Sequence, residues 1–205
     1  MNATAPTVFV VDDDTSFLPA VTRLLRAGGY ETRTFTSAEE FIKTPLPDVP
    51  GCVIVDLHMS GMNGLALQAS LAGSGNLLPL IFLTGQGDIP TSVHAIRQGA
   101  EDFLTKPVKR EKLFAAVQRA LARNANERQA HARTRELRAR YETLTPRERE
   151  VLAHIVTGQL NKQIAADLNT TERTVKAHRA NLTSKLQMQS VAELVRLAQA
   201  LGIQS

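Results

Sequence analysis

Residues 52–56 read CVIVD, an uninterrupted apolar run that ends in an aspartate. A short run without polar alternation predicts a β-strand that is covered on both faces. Similar runs occupy residues 8–11 and 80–83, a shorter one is Phe103-Leu104, and residues 31–35 form a weaker candidate. The sequence therefore predicts five short strands in its first 120 residues.

Segments with helical spacing separate these strands. The first segment stops at the two glycines 28–29, and Ser37 with Glu40 forms a capping box for the second. Further helices are expected to begin near Leu65, Ile89 and Arg110. Alternation of this kind predicts an α/β fold with a doubly wound, five-stranded parallel sheet, in which ligands bind at the carboxyl ends of the strands.

Acidic residues stand at those strand ends. Asp12 and Asp13 follow the first run, and Asp56 ends the third. Crowded carboxylates repel one another unless a cation lies between them, and oxygen ligands that leave room for water suit Mg²⁺. With Mg²⁺ bound, Asp56 can attack a phosphoryl group while Thr84 and Lys106 bind its oxygens. The alternative for each acid taken singly is a solvated turn residue.

The C-terminal part is basic. Residues 1–123 carry 11 Lys/Arg against 12 Asp/Glu, whereas residues 124–205 carry 13 against 8. Residues 124–142 contain no Pro or Gly and predict a helical linker, and residues 143–205 predict an all-α domain of four short helices. A basic excess favours a polyanionic partner; nucleic acid, an anionic membrane and a merely solvated face all remain open from charge alone.

Two of these short helices, separated by a turn at Asn169-Thr170, form the pattern of a helix-turn-helix. The second helix has one apolar face and one face of small and basic residues, which can approach base edges in the major groove and favours DNA over membrane. The predicted contacts to bases are Arg173, Lys176, Ala177 and Ala180, and those to phosphates are Lys162, Thr174, Arg179 and Lys185.

Other classes of protein are disfavoured. No apolar run approaches the roughly 18 residues of a membrane span, and the start MNATAP lacks the features of a secretory signal, so a cytoplasmic protein is expected. The single cysteine, Cys52, is predicted to be a buried apolar residue, and the five histidines are too scattered for a zinc site. Residues 61–64 contain glycines, but no lysine follows at the spacing of a phosphate-binding loop.

Residues 1–123 resemble the receiver domain of two-component response regulators. The matching residues are Asp12-Asp13, Asp56 within VDLHM, Thr84-Gly85 and Lys106-Pro107. The resemblance implies a flavodoxin-like fold in which Asp56 accepts a phosphoryl group from a sensor histidine kinase. It also implies Mg²⁺ held by Asp12, Asp13, Asp56 and the backbone carbonyl of His58, and an ion pair between Lys106 and the acyl phosphate.

In the same family, Thr84 and Phe103 match a switch pair whose movement alters an output surface, here the helix over residues 89–98 and the strand at Phe103. This sequence departs from the family at two positions: Ser60 stands where many receivers have proline, and Gly85 stands where they have a small residue such as alanine. Ser60 is expected to leave the turn less constrained, and Gly85 to loosen its loop.

Residues 143–205 resemble the LuxR-type helix-turn-helix through LTPREREVL (144–152), NKQIA (161–165), TVKAHRANL (174–182) and Lys185-Leu186. The whole chain is therefore similar to a NarL/FixJ-type response regulator, closest to the FixJ branch because residues 84–88 read TGQGD. In that family the last helix also helps pair two DNA-binding domains, so its apolar stripe is either core or partly interface.

These observations predict a phosphorylation-activated transcription regulator that binds promoter DNA as a homodimer and works with RNA polymerase, without a membrane partner and without enzymatic activity. Two alternatives remain. One is a metal-dependent phosphohydrolase with Asp56 as nucleophile, although His58 stands where such an enzyme needs a second aspartate. The other is a constitutive DNA-binding protein whose receiver serves only for dimerisation.

Overall fold

The computed structural model describes residues 5–85 and 89–203, which form two compact units, Met1–Arg128 and Gln129–Ser205. The first unit contains, in chain order, β1 (Thr7–Val11), α1 (Phe17–Ala27), β2 (Glu31–Phe35), α2 (Ala38–Lys43), β3 (Gly51–Asp56), α3 (Gly64–Gly73), β4 (Leu80–Thr84), α4 (Ile89–Arg97), β5 (Asp102–Thr105) and the beginning of α5 (Arg110–Glu142). All five predicted strands are present.

The five strands form one parallel sheet in the order β2-β1-β3-β4-β5. The predicted fold class is confirmed. Every residue of β1, β3 and β4 is buried, as their apolar runs predict. The prediction of burial on both faces is wrong for β5, where Phe103 and Leu104 are only partly buried and Thr105 is exposed, because β5 lies at an edge of the sheet.

Apolar side chains on the two faces of the sheet form separate cores. Phe9 and Phe82 pack with α2, α3 and α4 on one face, whereas Ile54 packs with α1 and α5 on the other. Cys52 lies in the second core, where burial raises the pKa of its thiol to about 12 and makes it unreactive. Helices thus cover both faces of the sheet.

The cap of α2 differs in one bond from the predicted capping box. The Ser37 hydroxyl accepts a hydrogen bond from the Glu40 N–H, as expected. The Glu40 carboxylate, however, accepts from the N–H and the hydroxyl of Thr36 instead of from the Ser37 N–H. The helix still begins where the sequence predicts, because one of its first N–H groups is satisfied by Ser37.

Asn124, the first residue of the predicted linker, is fully buried in the first unit. Its Oδ1 accepts from the Gly51 N–H at 3.0 Å, and its Nδ2 donates to the Leu77 carbonyl at 2.6 Å. Since α5 continues without interruption to Glu142 and the two compact units divide at Arg128, the segment 124–142 belongs partly to each unit. The boundaries after residues 123 and 142 stay predictions.

The second unit contains the end of α5 and the four predicted short helices α6 (Pro146–Val156), α7 (Asn161–Asp167), α8 (Glu172–Leu186) and α9 (Val191–Leu201). Capping boxes at Thr145 and Ser190 begin α6 and α9, as expected. In α9 the buried residues are Leu194, Leu197 and Ala198, whereas Val191 is 44% exposed.

None of the helices in the described ranges could span a membrane.

We predict that Asn124→Ala destabilises the first unit by about 2 kcal/mol, because the buried Gly51 N–H and the partly buried Leu77 carbonyl lose their partner. Urea unfolding of the full chain measures the change. The control is Asn126→Ala, which alters an exposed asparagine two positions further along α5. It should change the free energy of unfolding by less than about 0.5 kcal/mol. Equal stability of the two variants would contradict the assigned hydrogen bonds.

Candidate functional site

The carboxyl ends of β1, β3 and β4 bring the predicted site residues together. The parallel register places Val11 beside Val55 and Asp56 beside Leu83, so the residues that follow these strands meet at one edge of the sheet. Asp12 and Asp56 are buried there, and Thr84 is completely buried at the end of β4. The sequence prediction for this cluster agrees with the geometry.

Lys106 joins the two buried carboxylates. Its Nζ lies 2.6 Å from Asp12 Oδ2 and 3.2 Å from Asp56 Oδ1. Its backbone N–H donates to the Thr84 carbonyl at 2.7 Å, which fixes the lysine beside the end of β4. The ammonium also lies 4.3 Å from the centroid of the Phe17 ring, a cation–π contact that the sequence analysis missed because only the tertiary fold brings α1 to β5.

Burial and ion pairing act against each other at Asp56. Burial raises the pKa of its carboxyl above the ordinary aspartate value, although the Lys106 ammonium opposes that shift. For Lys106, burial lowers the pKa, but the Asp12 and Asp56 carboxylates outweigh burial and raise it. The site therefore keeps a fixed positive charge beside a carboxylate that is poorly solvated, a combination suited to binding an anionic group.

Three carboxylates satisfy the donor requirement of a hard divalent cation. Asp12, Asp13 and Asp56 each offer an oxygen, and these oxygens lie within 4.8 Å of one another. Asp13 is exposed, so the cluster opens to solvent and leaves room for water ligands. The His58 N–H donates to Asp56 Oδ2 at 3.2 Å; the role of the His58 carbonyl as a ligand stays a prediction.

The loop after β3 is held more firmly than the sequence suggested. The N–H and the hydroxyl of Ser60 both donate to Asp13 Oδ2, at 2.8 and 2.9 Å. On the other side, the Met62 N–H donates to Glu39 Oε1 at 2.8 Å, a contact from α2 that the sequence analysis missed. A Cβ at Gly64 would lie 2.5 Å from the Asp56 carbonyl, which explains the glycine. The expectation of a less constrained turn at Ser60 is not supported.

The predicted switch pair lies beside α4. The Phe103 ring, half-buried on β5, lies 6.0 Å from the Phe82 ring. Of the nine residues of α4, all of them described, Ala95 alone is buried, whereas Ile89, Val93 and Ile96 are 78%, 43% and 46% exposed. Gln86, Gly87 and Asp88 of the TGQGD segment lie outside the described residues. An exposed apolar face on a loosely packed helix is typical of a protein interface.

The second unit contains the predicted helix-turn-helix in α7 and α8. The turn between them uses Asn169 in the left-handed region, with φ of 48°, a conformation that asparagine tolerates better than most residues. The Thr171 hydroxyl then accepts from the Thr174 N–H and begins α8. Val175, Leu182 and Leu186 are fully buried, so the apolar face of α8 packs in the core as predicted.

The opposite face of α8 is exposed at Arg173, Lys176, Ala177 and Ala180. Arg173 and Lys176 form no ion pair with any residue that the structure describes, and neither does Lys162 on α7. Both elements thus present positive charge to solvent on a surface lined by small side chains. Such a surface can contact phosphates and approach bases closely.

Three predicted phosphate contacts also bind within the protein. Lys185 Nζ lies 2.7 Å from Oε2 of Glu148, a residue only 3% exposed at the start of α6. Arg179 donates to Asn161 Oδ1 at 3.0 Å, and the Thr174 and Thr171 hydroxyls lie 2.9 Å apart. Lys185 and Arg179 therefore tie α8 to α6 and α7, a role that the sequence analysis did not assign to them.

Comparison with known proteins assigns both units. Residues 8–118 match the response regulator receiver domain, and residues 142–198 match the bacterial regulatory proteins of the luxR family. Nodulation protein W of Bradyrhizobium diazoefficiens is 41% identical over 201 residues, which cover 98% of this chain and 88% of that protein. The transcriptional regulatory protein FixJ of Azorhizobium caulinodans is 40% identical over 197 residues, covering 96% of this chain and 93% of that one.

A solved structure titled response regulator StyR agrees with this assignment. It is 41% identical, covers 96% of this chain and 99% of that one, and superposes with a TM-score of 0.84. The chain is a response regulator of the NarL/FixJ type. The response regulator is therefore a phosphorylation-activated, DNA-binding regulator of transcription, as the sequence predicts.

Within this response regulator, the pair of Glu148 and Lys185 is a stability determinant of the DNA-binding unit. Burial raises the pKa of Glu148, but hydrogen bonds from Lys185 and Thr145 outweigh burial and hold it below the ordinary value. A carboxyl whose pKa is lower in the folded state stabilises the fold above its unfolded pKa. This contribution is lost as pH falls from about 4.3 through the lower folded value.

We predict that Glu148→Gln destabilises the second unit by about 1.5 kcal/mol at pH 7, because Lys185, whose side chain is itself partly open to water, loses its buried charged partner. Urea unfolding at pH 7 and at pH 3.5 measures the effect, and the difference between variant and parent should shrink at the lower pH. Glu150→Gln, which affects an exposed pair with Arg147, is the control. A loss that is independent of pH would contradict the ion pair.

Proposed function

We propose that a sensor histidine kinase transfers a phosphoryl group to Asp56 of this response regulator. The observation that carries the proposal is the arrangement of a partly desolvated carboxylate 3.2 Å from the Lys106 ammonium, at the open edge of the sheet. An oxygen of the Asp56 carboxylate forms the bond to phosphorus as the bond from phosphorus to the donor imidazole nitrogen breaks. The imidazole leaves after taking a proton.

The residues around Asp56 hold the transferred group in place. Lys106, already within reach of Asp56, pairs with the phosphoryl oxygens, and the buried Thr84 hydroxyl turns toward them. Asp12, Asp13, Asp56 and the His58 carbonyl are the residues that would hold Mg²⁺, which supplies positive charge to the incoming phosphoryl oxygens when bound. Phe103, whose ring lies 6.0 Å from that of Phe82, then turns inward.

Phosphorylation brings two copies together through α4 and β5. The exposed Ile89, Val93 and Ile96 support this face as the contact, since pairing removes apolar surface from water. Dimerisation places two DNA-binding units on neighbouring half-sites, and the second unit raises the effective concentration of binding surface near the DNA. Part of the α9 stripe, including the exposed Val191, is available to pair these units.

The DNA-binding unit inserts α8 into the major groove of promoter DNA. Arg173, Lys176, Ala177 and Ala180 face the bases, with thymine methyl contacts at the alanines and groove shape compensating for sparse hydrogen bonding. Lys162 contacts phosphate, and Thr174, Arg179 and Lys185 lie beside the backbone while keeping their contacts within the protein. The DNA-bound dimer has RNA polymerase as a further partner, and the protein acts in the cytoplasm.

The two alternative functions have weaker support. A metal-dependent phosphohydrolase needs an acid two residues after its nucleophile, and that position is His58. A receiver that serves only as a scaffold would not need the complete set of buried carboxylates, lysine and threonine at one strand edge. Neither alternative accounts for both units as well as a phosphorylation switch does.

We predict that acetyl phosphate with Mg²⁺ adds one phosphoryl group to the protein and converts it to dimers. Intact mass and light scattering of the same sample measure both changes. Asp56→Asn should show neither, whereas Asp48→Asn, at the opposite end of β3, should behave as the parent. Val93→Asp should still gain the phosphoryl group but stay monomeric, because a charge interrupts the apolar face of α4.

Phosphorylation of Asp56→Asn, or dimers formed equally well by Val93→Asp, would contradict these assignments. Turnover of acetyl phosphate without a change in oligomeric state would favour the phosphohydrolase. Full promoter activation by Asp56→Asn in cells would favour the constitutive alternative.

We predict that Lys176→Ala weakens binding of the phosphorylated protein to its preferred duplex by about 1–3 kcal/mol and relaxes the preference for one base pair. The duplex is first selected from a randomised library with the parent protein, and fluorescence anisotropy then measures affinity. The control is Arg23→Ala, which removes one positive charge from an exposed position on α1. Unchanged affinity and base preference in Lys176→Ala would exclude α8 as the reading helix in this orientation.

A further inference from the structure

Ser60 makes an unusual pair of contacts for an exposed loop residue. Its N–H and its hydroxyl converge on the same oxygen, Asp13 Oδ2, at 2.8 and 2.9 Å. The two residues are 47 positions apart in the chain. The contact therefore joins the loop after β1 to the loop after β3 directly at the carboxylate cluster.

Asp13 needs such a restraint more than the other two carboxylates do. Asp12 and Asp56 are buried and tied to Lys106 at 2.6 and 3.2 Å. Asp13 is exposed, and no ion pair joins its carboxylate to a lysine or arginine among the described residues. Without Ser60 its side chain would rotate in water, and binding a cation would cost that rotational freedom.

The two hydrogen bonds also fix the position of the carboxylate. Both bonds are made to Oδ2 of Asp13. Since a carboxylate needs only one oxygen to bind a metal ion, Asp13 can bind a cation while it keeps its hydrogen bonds to Ser60. Partners that orient a metal ligand in this way typically change metal affinity by about 10- to 100-fold when removed.

We propose that Ser60 is a positioning residue that fixes the Asp13 carboxylate for Mg²⁺ and thereby tightens Mg²⁺ binding by this chain. The inference rests on the proposed Mg²⁺ site of Asp12, Asp13 and Asp56. It assigns to Ser60 a function in place of the looser turn expected from the sequence.

Isothermal titration of the full chain with MgCl₂, without a phosphoryl donor, tests the proposal. The dissociation constant should rise roughly threefold in Ser60→Ala, which loses the hydroxyl, and about tenfold in Ser60→Pro, which also loses the N–H. Ser60→Thr keeps both donors and should bind within about twofold of the parent. Ser74→Ala removes a hydroxyl bonded to the Leu71 carbonyl at the other end of α3 and is the matched control.

Thermal unfolding in EDTA distinguishes a local effect from damage to the fold, because loss of an exposed contact should leave all four melting temperatures close to that of the parent. Mg²⁺ binding by Ser60→Ala as tight as, or tighter than, that of the parent would overturn the proposal. So would a Ser60→Thr variant as weak as Ser60→Ala. If the parent itself binds no Mg²⁺, the proposed metal site fails and the inference fails with it.

Discussion

Carboxylates crowd together at the carboxyl ends of β1 and β3, and their mutual repulsion limits which groups can occupy the space between them. Asp12 and Asp56 are buried next to each other, and the 2.6 and 3.2 Å contacts of Lys106 offset their repulsion only in part. Burial still raises the pKa of Asp56 above its ordinary value. Negative charge that one ammonium does not balance favours the binding of a divalent cation. The cation and the Lys106 ammonium can then together bind the negatively charged oxygens of a phosphoryl group.

The elements around this site differ in how firmly they are held, and that difference is suited to signalling. The strands that carry the carboxylates have cores on both faces, whereas α4 buries a single side chain, Ala95. Gln68 Nε2 on α3 also donates to the Ala95 carbonyl at 3.1 Å. The proposed phosphorylation of Asp56 would therefore add charge beside firmly packed strands and next to a helix that buries little of its surface, and such weakly packed elements are the ones that move in switches.

In the DNA-binding unit, several cations have structural as well as surface roles. Lys185 neutralises the buried Glu148, Arg179 holds Asn161, and Arg140 on α5 donates to the Leu186 carbonyl at the end of α8. These contacts fix the recognition helix against α5, α6 and α7. On α8 itself, Arg173 and Lys176 form no ion pair with the described residues, and both are exposed near the beginning of the helix, the part with which recognition helices contact bases.

Local sequence signals were sufficient to predict the five strands, the four C-terminal helices and the carboxylate cluster. Apolar runs and helix caps involve neighbouring residues, and the ends of parallel strands must meet at one edge of the sheet. Only the tertiary structure showed that Asn124 belongs to the receiver core, that Ser60 and Glu39 hold the loop after Asp56, and that Lys185 pairs with Glu148. Each of these contacts joins residues 23 to 73 positions apart. Local signals do not predict such distant partners, since even the capping box of Glu148 concerns only Thr145, so these contacts are decided by how the elements pack.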